Sequence, residues 1–277
     1  MTESRFQRWA DVEQEFQHVD DPNVLQRIDN SPALRIALEI SRPGNWWGLG
    51  VEPGTLISIS RGEGIPLAWV PRREIISLLA RAEDDVERSQ VLLANEHDIL
   101  EDCSAALGEC TDPWLASTVL LALRAVDAHR SGFHEAGMAL AVSLGEPLAA
   151  WGAEPRVRAF DSNQHRKAWE ALVRKNSGYR RAELELDEAR LDPHRRDVIW
   201  QALAAPIPKF FTTWHRHQNV PPPDYLSRHV VAHQPSVQHF TRRNALVALM
   251  LVSSLLRAQQ DWSEDVRASD AVDEEPE

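Results

Sequence analysis

The chain has two cysteines, two tyrosines and three methionines in 277 residues. Cys103 and Cys110 lie seven apart with no further cysteine to join them, which leaves no disulfide framework and no cysteine-built zinc site. They read as reduced, structural thiols. Two tyrosines, with few runs of β-branched residues, argue against an all-β fold. Long apolar runs are also missing. The longest, Ala245–Leu256, is interrupted by Ser253 and Ser254 and is too short to span a bilayer. The first residues, MTESRFQRWADVEQEF, are charged and lack the apolar core of a signal peptide, so a cytoplasmic location and no membrane partner are expected.

Several chemical signatures are absent too. There is no G-x-S-x-G nucleophile elbow, no G-x4-G-K-[ST] phosphate loop and no H-E-x-x-H zinc helix. The Gly48–Gly50 pair lacks the third glycine and the preceding strand of a dinucleotide fingerprint. No cofactor and no metal are therefore assigned. The composition that remains, 43% apolar and 26% charged, is that of a globular protein with a real core. Ten tryptophans are many but scattered, and they read as core and interface material, Trp200 and Trp214 included.

Positive charge is scarce overall, with a formal net charge of −12, yet it is not evenly spread. Between Arg156 and Arg243 there are about 16 Lys and Arg against about 9 Asp and Glu, and about 7 of the 11 histidines. Such a basic stretch in an acidic chain suits an anionic partner, although an exposed charged helix face gives the same pattern.

Along the chain, residues 1–70 form an irregular N-terminal region. Arg42–Gly54 (RPGNWWGLGVEPG) reads as loop. Thr55–Ser60 alternates apolar and polar residues and Pro66–Val70 is a short apolar run, so a small β-hairpin across Arg61–Gly64 is expected. From Pro71, placed at a first helical position, the period becomes helical. Residues 71–111 read as connecting helices, with Ile75, Ile76, Leu78 and Leu79 at helical spacing and Val91–Leu107 continuing in the same way. Asp112-Pro113 reads as a helix start, Ser131-Gly132 as its end, and His134–Leu148 as the second arm of a helical hairpin. Trp169–Glu188 looks like a basic amphipathic helix and Arg195–Ala204 like a short one. Thr241 caps a final helix with Asn244 at its third position. The acidic tail, 262–277, is expected to be disordered and to be available to a basic protein partner. The fold class expected is mainly α, a helical bundle with a small irregular or β-containing start.

The chemistry concentrates in Leu226–His233 (LSRHVVAH), just ahead of the final helix. Arg228 is a permanent cation whose fork suits two phosphate oxygens, and His233 gives or takes a proton near neutral pH. RNA transesterification needs a base for the 2′-hydroxyl, an acid for the leaving 5′-oxygen and charge stabilisation on the phosphorane. Residues five apart on a regular helix are rotated by about 140°, so Arg228 and His233 do not share a face unless the helix starts or distorts near Arg228. His229 and His233, four apart, do, and His229 joins the candidates. Pro221–Pro223 before the motif and Pro235 after it allow such a turn. The same spacing, with His215 and His217 upstream, also allows imidazoles to converge on a metal.

The pattern Arg-polar-x3-His ahead of a terminal apolar helix resembles the R-x4-6-H motif of the HEPN superfamily, with Arg228 and His233 at its two fixed positions. The phrase RSGFHEAGMALA (Arg130–Ala141) and the motif together also resemble uncharacterised actinobacterial proteins with an N-R-H-x3-H-G signature, from which this chain departs at Ser227 and Gln234. The resemblance covers about Asp112–Asp261. It implies a HEPN-like helical domain over 112–261, a homodimer, and metal-independent endoribonuclease activity in stress response or phage defence. Arg228 would then stabilise phosphate, His233 act as acid or base, and His229 assist. Arg180, Arg181, Arg195, Arg196, Arg242 and Arg243 are the candidate RNA contacts. A non-catalytic nucleic-acid-binding or partner-binding helical protein is the alternative.

Overall fold

A computed structural model describes residues 42–151, 195–218 and 220–273. The described residues are helical without strands. In chain order the helices are α1 (Pro53–Glu63), α2 (Arg73–Arg81), α3 (Asp85–Ala94), α4 (Glu96–Gly108), α5 (Ala116–Arg130), α6 (His134–Trp151), α7 (Arg195–Ala204), α8 (Ile207–Phe210), α9 (Arg228–His233) and α10 (Arg242–Asp273).

The bundle is organised by α10. Ala245–Val252, Leu255 and Leu256 are all buried, so this helix is apolar on every side over its first turns and needs neighbours all round. It packs most extensively on α6 and then on α4 and α5, while α5 and α6 form an antiparallel hairpin of their own. Several buried polar groups on α10 have hydrogen-bond partners in neighbouring elements. Ser254 Oγ donates to the Ala68 carbonyl at 2.7 Å, Gln259 Nε2 to Leu148 at 3.2 Å, and Gln260 Oε1 accepts from the Asp112 N–H at 2.9 Å. One continuous core runs from Trp46 to Leu256, and the boundaries near 70 and 111 fall within it.

Thr241 caps α10 as its sequence position suggests, accepting the Asn244 N–H at 3.1 Å. Ser131 and Gly132 (φ +84°) end α5. The α5–α6 crossing is close: a Cβ on Gly137 would stand 2.8 Å from the Ala125 carbonyl oxygen and 3.4 Å from His129 Cβ. Only a glycine allows that approach.

Four expectations need correction. Thr55–Ser60 is not a strand but the middle of α1, which begins with Pro53 in its first turn and ends at Gly64 (φ +72°). Leu56, Ile57, Ile59 and Ser60 are buried while Thr55 and Ser58 are exposed, so the same residues satisfy a helical stripe as well as an alternation. Pro66–Val70 has no strand to pair with among the described residues and is held by side chains, those of Trp46, Ser254 and above all Asn45. Asn45 Nδ2 donates to the Leu67 and Pro71 carbonyls at 3.0 and 2.8 Å, and Asn45 Oδ1 accepts the Trp69 N–H at 2.8 Å. Val91–Leu107 is two helices, broken at Asn95, whose Nδ2 donates to the Val91 carbonyl at 2.8 Å. Starts differ as well: α2 opens at Arg73, two residues past Pro71, and Asp112 heads a turn before α5 rather than capping it. Finally, helix α10 continues to Asp273, through most of the tail expected to be disordered. Trp169–Glu188 lies outside the described residues.

Candidate functional site

The Leu226–His233 motif folds into the short helix α9, whose start is built by three buried residues. Ser227 caps it by accepting the Val230 N–H, and the same hydroxyl donates to the Thr212 carbonyl at 2.7 Å. The Ser227 N–H donates to His239 Nε2 at 3.2 Å, and His239 Nδ1 donates to the Pro223 carbonyl at 2.9 Å. This arrangement fixes the His239 tautomer and keeps the ring neutral. Burial pushes its pKa below the ordinary value, against smaller opposing effects of the two backbone groups. Ser227, where the related signature has Asn, is thus a cap and a tether.

The helix starts at Arg228 itself and runs through His233, so the two residues stay on different faces of one short helix. Arg228 turns toward α6. Its Nε donates to Glu146 Oε2 at 2.9 Å and its Nη2 reaches the same oxygen at 2.7 Å, with the guanidinium 5.7 Å from the centre of the Phe211 ring. The arginine side chain is 13% exposed and the glutamate 43%, so the pair opens to solvent on the glutamate side.

His229 and His233 are neighbours on the other part of the helix, with ring centres 5.3 Å apart in an edge-to-face arrangement. His215 stands 5.0 Å from His229, also edge-to-face, and His217 stacks on His215 at 5.2 Å. The sequence reading weighed His215 and His217 only as metal ligands. Their tether explains their position: Gln234 Oε1 accepts the Arg216 N–H at 2.7 Å, which leaves its Nε2 to donate to His215 Nδ1 at 3.1 Å. Gln234, the second departure from the related signature, therefore orients an imidazole. His229 Nδ1 accepts the Trp214 N–H at 3.4 Å, which leaves the ring proton on Nε2. Burial lowers the His229 pKa, and the neighbouring His215, His233 and Arg228 lower it further, so this ring is neutral at neutral pH. His233 is exposed.

The candidate RNA-contacting arginines have different surroundings. Arg242 is exposed and pairs with Glu96. Arg243 is half-buried; its Nε donates to Ser89 Oγ at 2.9 Å and its Nη1 to Asn244 Oδ1 at 3.1 Å. Arg195 and Arg196 lie at the start of α7 with no side-chain description, and Arg180 and Arg181 lie outside the described residues. Trp200 and Trp214 are both buried. Cys103 and Cys110 are free and buried, and burial pushes their thiols up to about 12 and about 11, so neither is a nucleophile at neutral pH. No helix among the described residues is long and apolar enough to cross a membrane.

None of the family models, curated proteins or solved structures compared with the chain matches it. The functional reading therefore rests on the chemistry of α9 and its surroundings.

Proposed function

We propose that the chain is a metal-independent endoribonuclease that cleaves RNA by transesterification at the face formed by α9 and the Thr212–His217 segment. The observation that carries this reading is the row of imidazoles, His215, His229 and His233, at 5.0 and 5.3 Å spacing on and against the short helix that Arg228 opens. Transesterification needs two proton carriers and a cation, and the row supplies more than one carrier within one chain. In this scheme His233, exposed and free to reach solvent, is one proton carrier, taking the 2′-hydroxyl proton or delivering one to the 5′-oxygen, and His215 is the other. His229, neutral with its proton on Nε2, donates a hydrogen bond to a phosphate oxygen. Arg228 exchanges Glu146 for the developing phosphorane charge. RNA as substrate, a homodimer, a cytoplasmic setting and a role in stress response or phage defence belong to the same proposal through the HEPN resemblance.

The competing reading, a non-catalytic helical module that binds nucleic acid or protein, is favoured by the Arg228–Glu146 pair over Phe211, which is how a structural arginine sits. Cleavage of a panel of structured and single-stranded RNAs in chelator separates the two. Wild type is expected to cleave. Arg228→Ala and His233→Ala are expected to lose cleavage by at least about 100-fold, the usual range for acid–base and charge-stabilising groups. Thermal melts in the same buffer check that each variant is folded. Absence of wild-type cleavage across the panel removes the enzyme reading in favour of the binding one.

A further inference from the structure

On α4, α5 and α6 a second cluster of histidines has a different character. Glu96 opens α4, His129 lies in the last turn of α5, and His134 opens α6. The close α5–α6 crossing at Gly137 brings the two imidazoles to 4.4 Å between ring centres. His129 Nε2 is 2.7 Å from Glu96 Oε1, and one donor atom from each of the three residues lies within 4.8 Å of the others. The His129 side chain is only 1% exposed and that of Glu96 is 14%. Nδ1 of His129 and Nδ1 of His134 are both buried with no hydrogen-bond partner.

Two unpartnered imidazole nitrogens side by side are unusual, because each such buried group costs about 1–3 kcal/mol. Charge is arranged consistently with a cation beside them. The present cationic partner of Glu96 is Arg242, whose side chain is 58% exposed and so free to swing into solvent.

We propose that Glu96, His129 and His134 form a zinc site that clips the α5–α6 hairpin to the start of α4. Two imidazole nitrogens and one carboxylate oxygen are a common zinc ligand set, with bonds of about 2.0–2.2 Å that place ligand atoms about 3.3 Å apart. To reach that spacing the Glu96–His129 contact opens from 2.7 Å, and the remaining donor atoms, all within 4.8 Å of one another, close on the ion. His134 is half-buried, so its outer edge leaves the fourth position to a water. The role is structural: the ion joins three helices, bound by Glu96, by His129 through the Nε2 edge that faces Glu96, and by His134, whose orphaned Nδ1 it takes up. The site is separate from α9 and does not depend on the cleavage reading.

The test uses the full chain, free of any affinity tag and stripped with chelator, titrated with cobalt(II) and followed by visible absorption, then displaced with zinc. One equivalent is expected, with the intense bands of tetrahedral cobalt and a rise in melting temperature on adding zinc. Glu96→Gln, which keeps size, and His134→Ala, at a half-buried position, are each expected to weaken binding by about 100-fold or more. The double variant His215→Ala/His233→Ala is expected to bind as wild type does. No saturable binding, or binding kept in Glu96→Gln and His134→Ala but lost in the double variant, overturns the proposal. Melts of every metal-free variant show which are folded, and Glu96→Gln remains informative if His134→Ala is not.

Discussion

At the scale of single residues, the part of the motif that holds the rest in place is not the reactive part. Both ring nitrogens of His239 are in use, one accepting the Ser227 N–H and the other donating to Pro223. His239→Ala leaves both groups unpaired in a buried setting and is expected to cost about 2–4 kcal/mol. Urea denaturation of the two proteins measures the difference. The pH dependence follows from direction. His239 and His229 both have pKa values lowered by burial, so the unfolded chain, with values near 6.5, binds more protons than the folded one in mild acid. Their contribution is full above about pH 6.5 and is lost as pH falls through the lowered folded values. Urea midpoints are expected to decline from pH 7.5 to pH 5, and more shallowly in His239→Ala.

Residue type alone made Arg228, His229 and His233 legible in the sequence, because cations and imidazoles near prolines stand out. His215, Gln234, Ser227 and His239 were not legible as a set. Their roles come from hydrogen bonds across 12 to 19 positions of chain, and no local pattern marks those.

At the scale of elements, periodicity served well where a helix has one buried stripe and misled where short apolar runs fit two periods. Arg195–Ala204 and the α5–α6 hairpin came out as read, and Thr55–Ser60 did not, because Leu56, Ile59 and Ser60 also fall at helical spacing. The hairpin has an unusual requirement. Gly137→Ala in a helix interior ordinarily gains up to about 1 kcal/mol, but here the added Cβ would press on the Ala125 carbonyl at 2.8 Å. Overpacking against backbone costs about 1–3 kcal/mol, so Gly137→Ala is expected to destabilise, seen as a lower melting temperature. The α6–α9 contact gives a second expectation. The Arg228–Glu146 pair is partly exposed and worth about 1 kcal/mol or less, so Glu146→Gln should barely change stability. Releasing Arg228 for phosphate is expected to raise RNA cleavage by up to about fivefold, the equivalent of that energy. A fall in cleavage would mean that Glu146 positions Arg228 instead.

At the scale of the whole molecule, the all-helical bundle was legible because one long apolar segment, Ala245–Leu256, demanded a surrounding layer of helices. The extent of α10 was not, since its acidic end carries no apolar stripe and still continues as helix to Asp273. The charge asymmetry was legible as well, and it bears on partner rather than fold: a basic stretch bearing the histidine row, set in a chain of net charge −12. That sequence pattern, basic residues and imidazoles within one stretch, underlies the proposed cleavage of RNA.

The most direct measurement is the chemistry of the cut ends. Wild-type chain in chelator, given an RNA with one preferred site and the same RNA with a 2′-O-methyl group at that site, is analysed by mass spectrometry of the products. Attack by the 2′-hydroxyl leaves a 2′,3′-cyclic phosphate and a 5′-hydroxyl, and the methylated RNA is expected to stay intact. Products with a 5′-phosphate, or equal cleavage of the methylated RNA, would contradict catalysis by Arg228 and the imidazoles of α9.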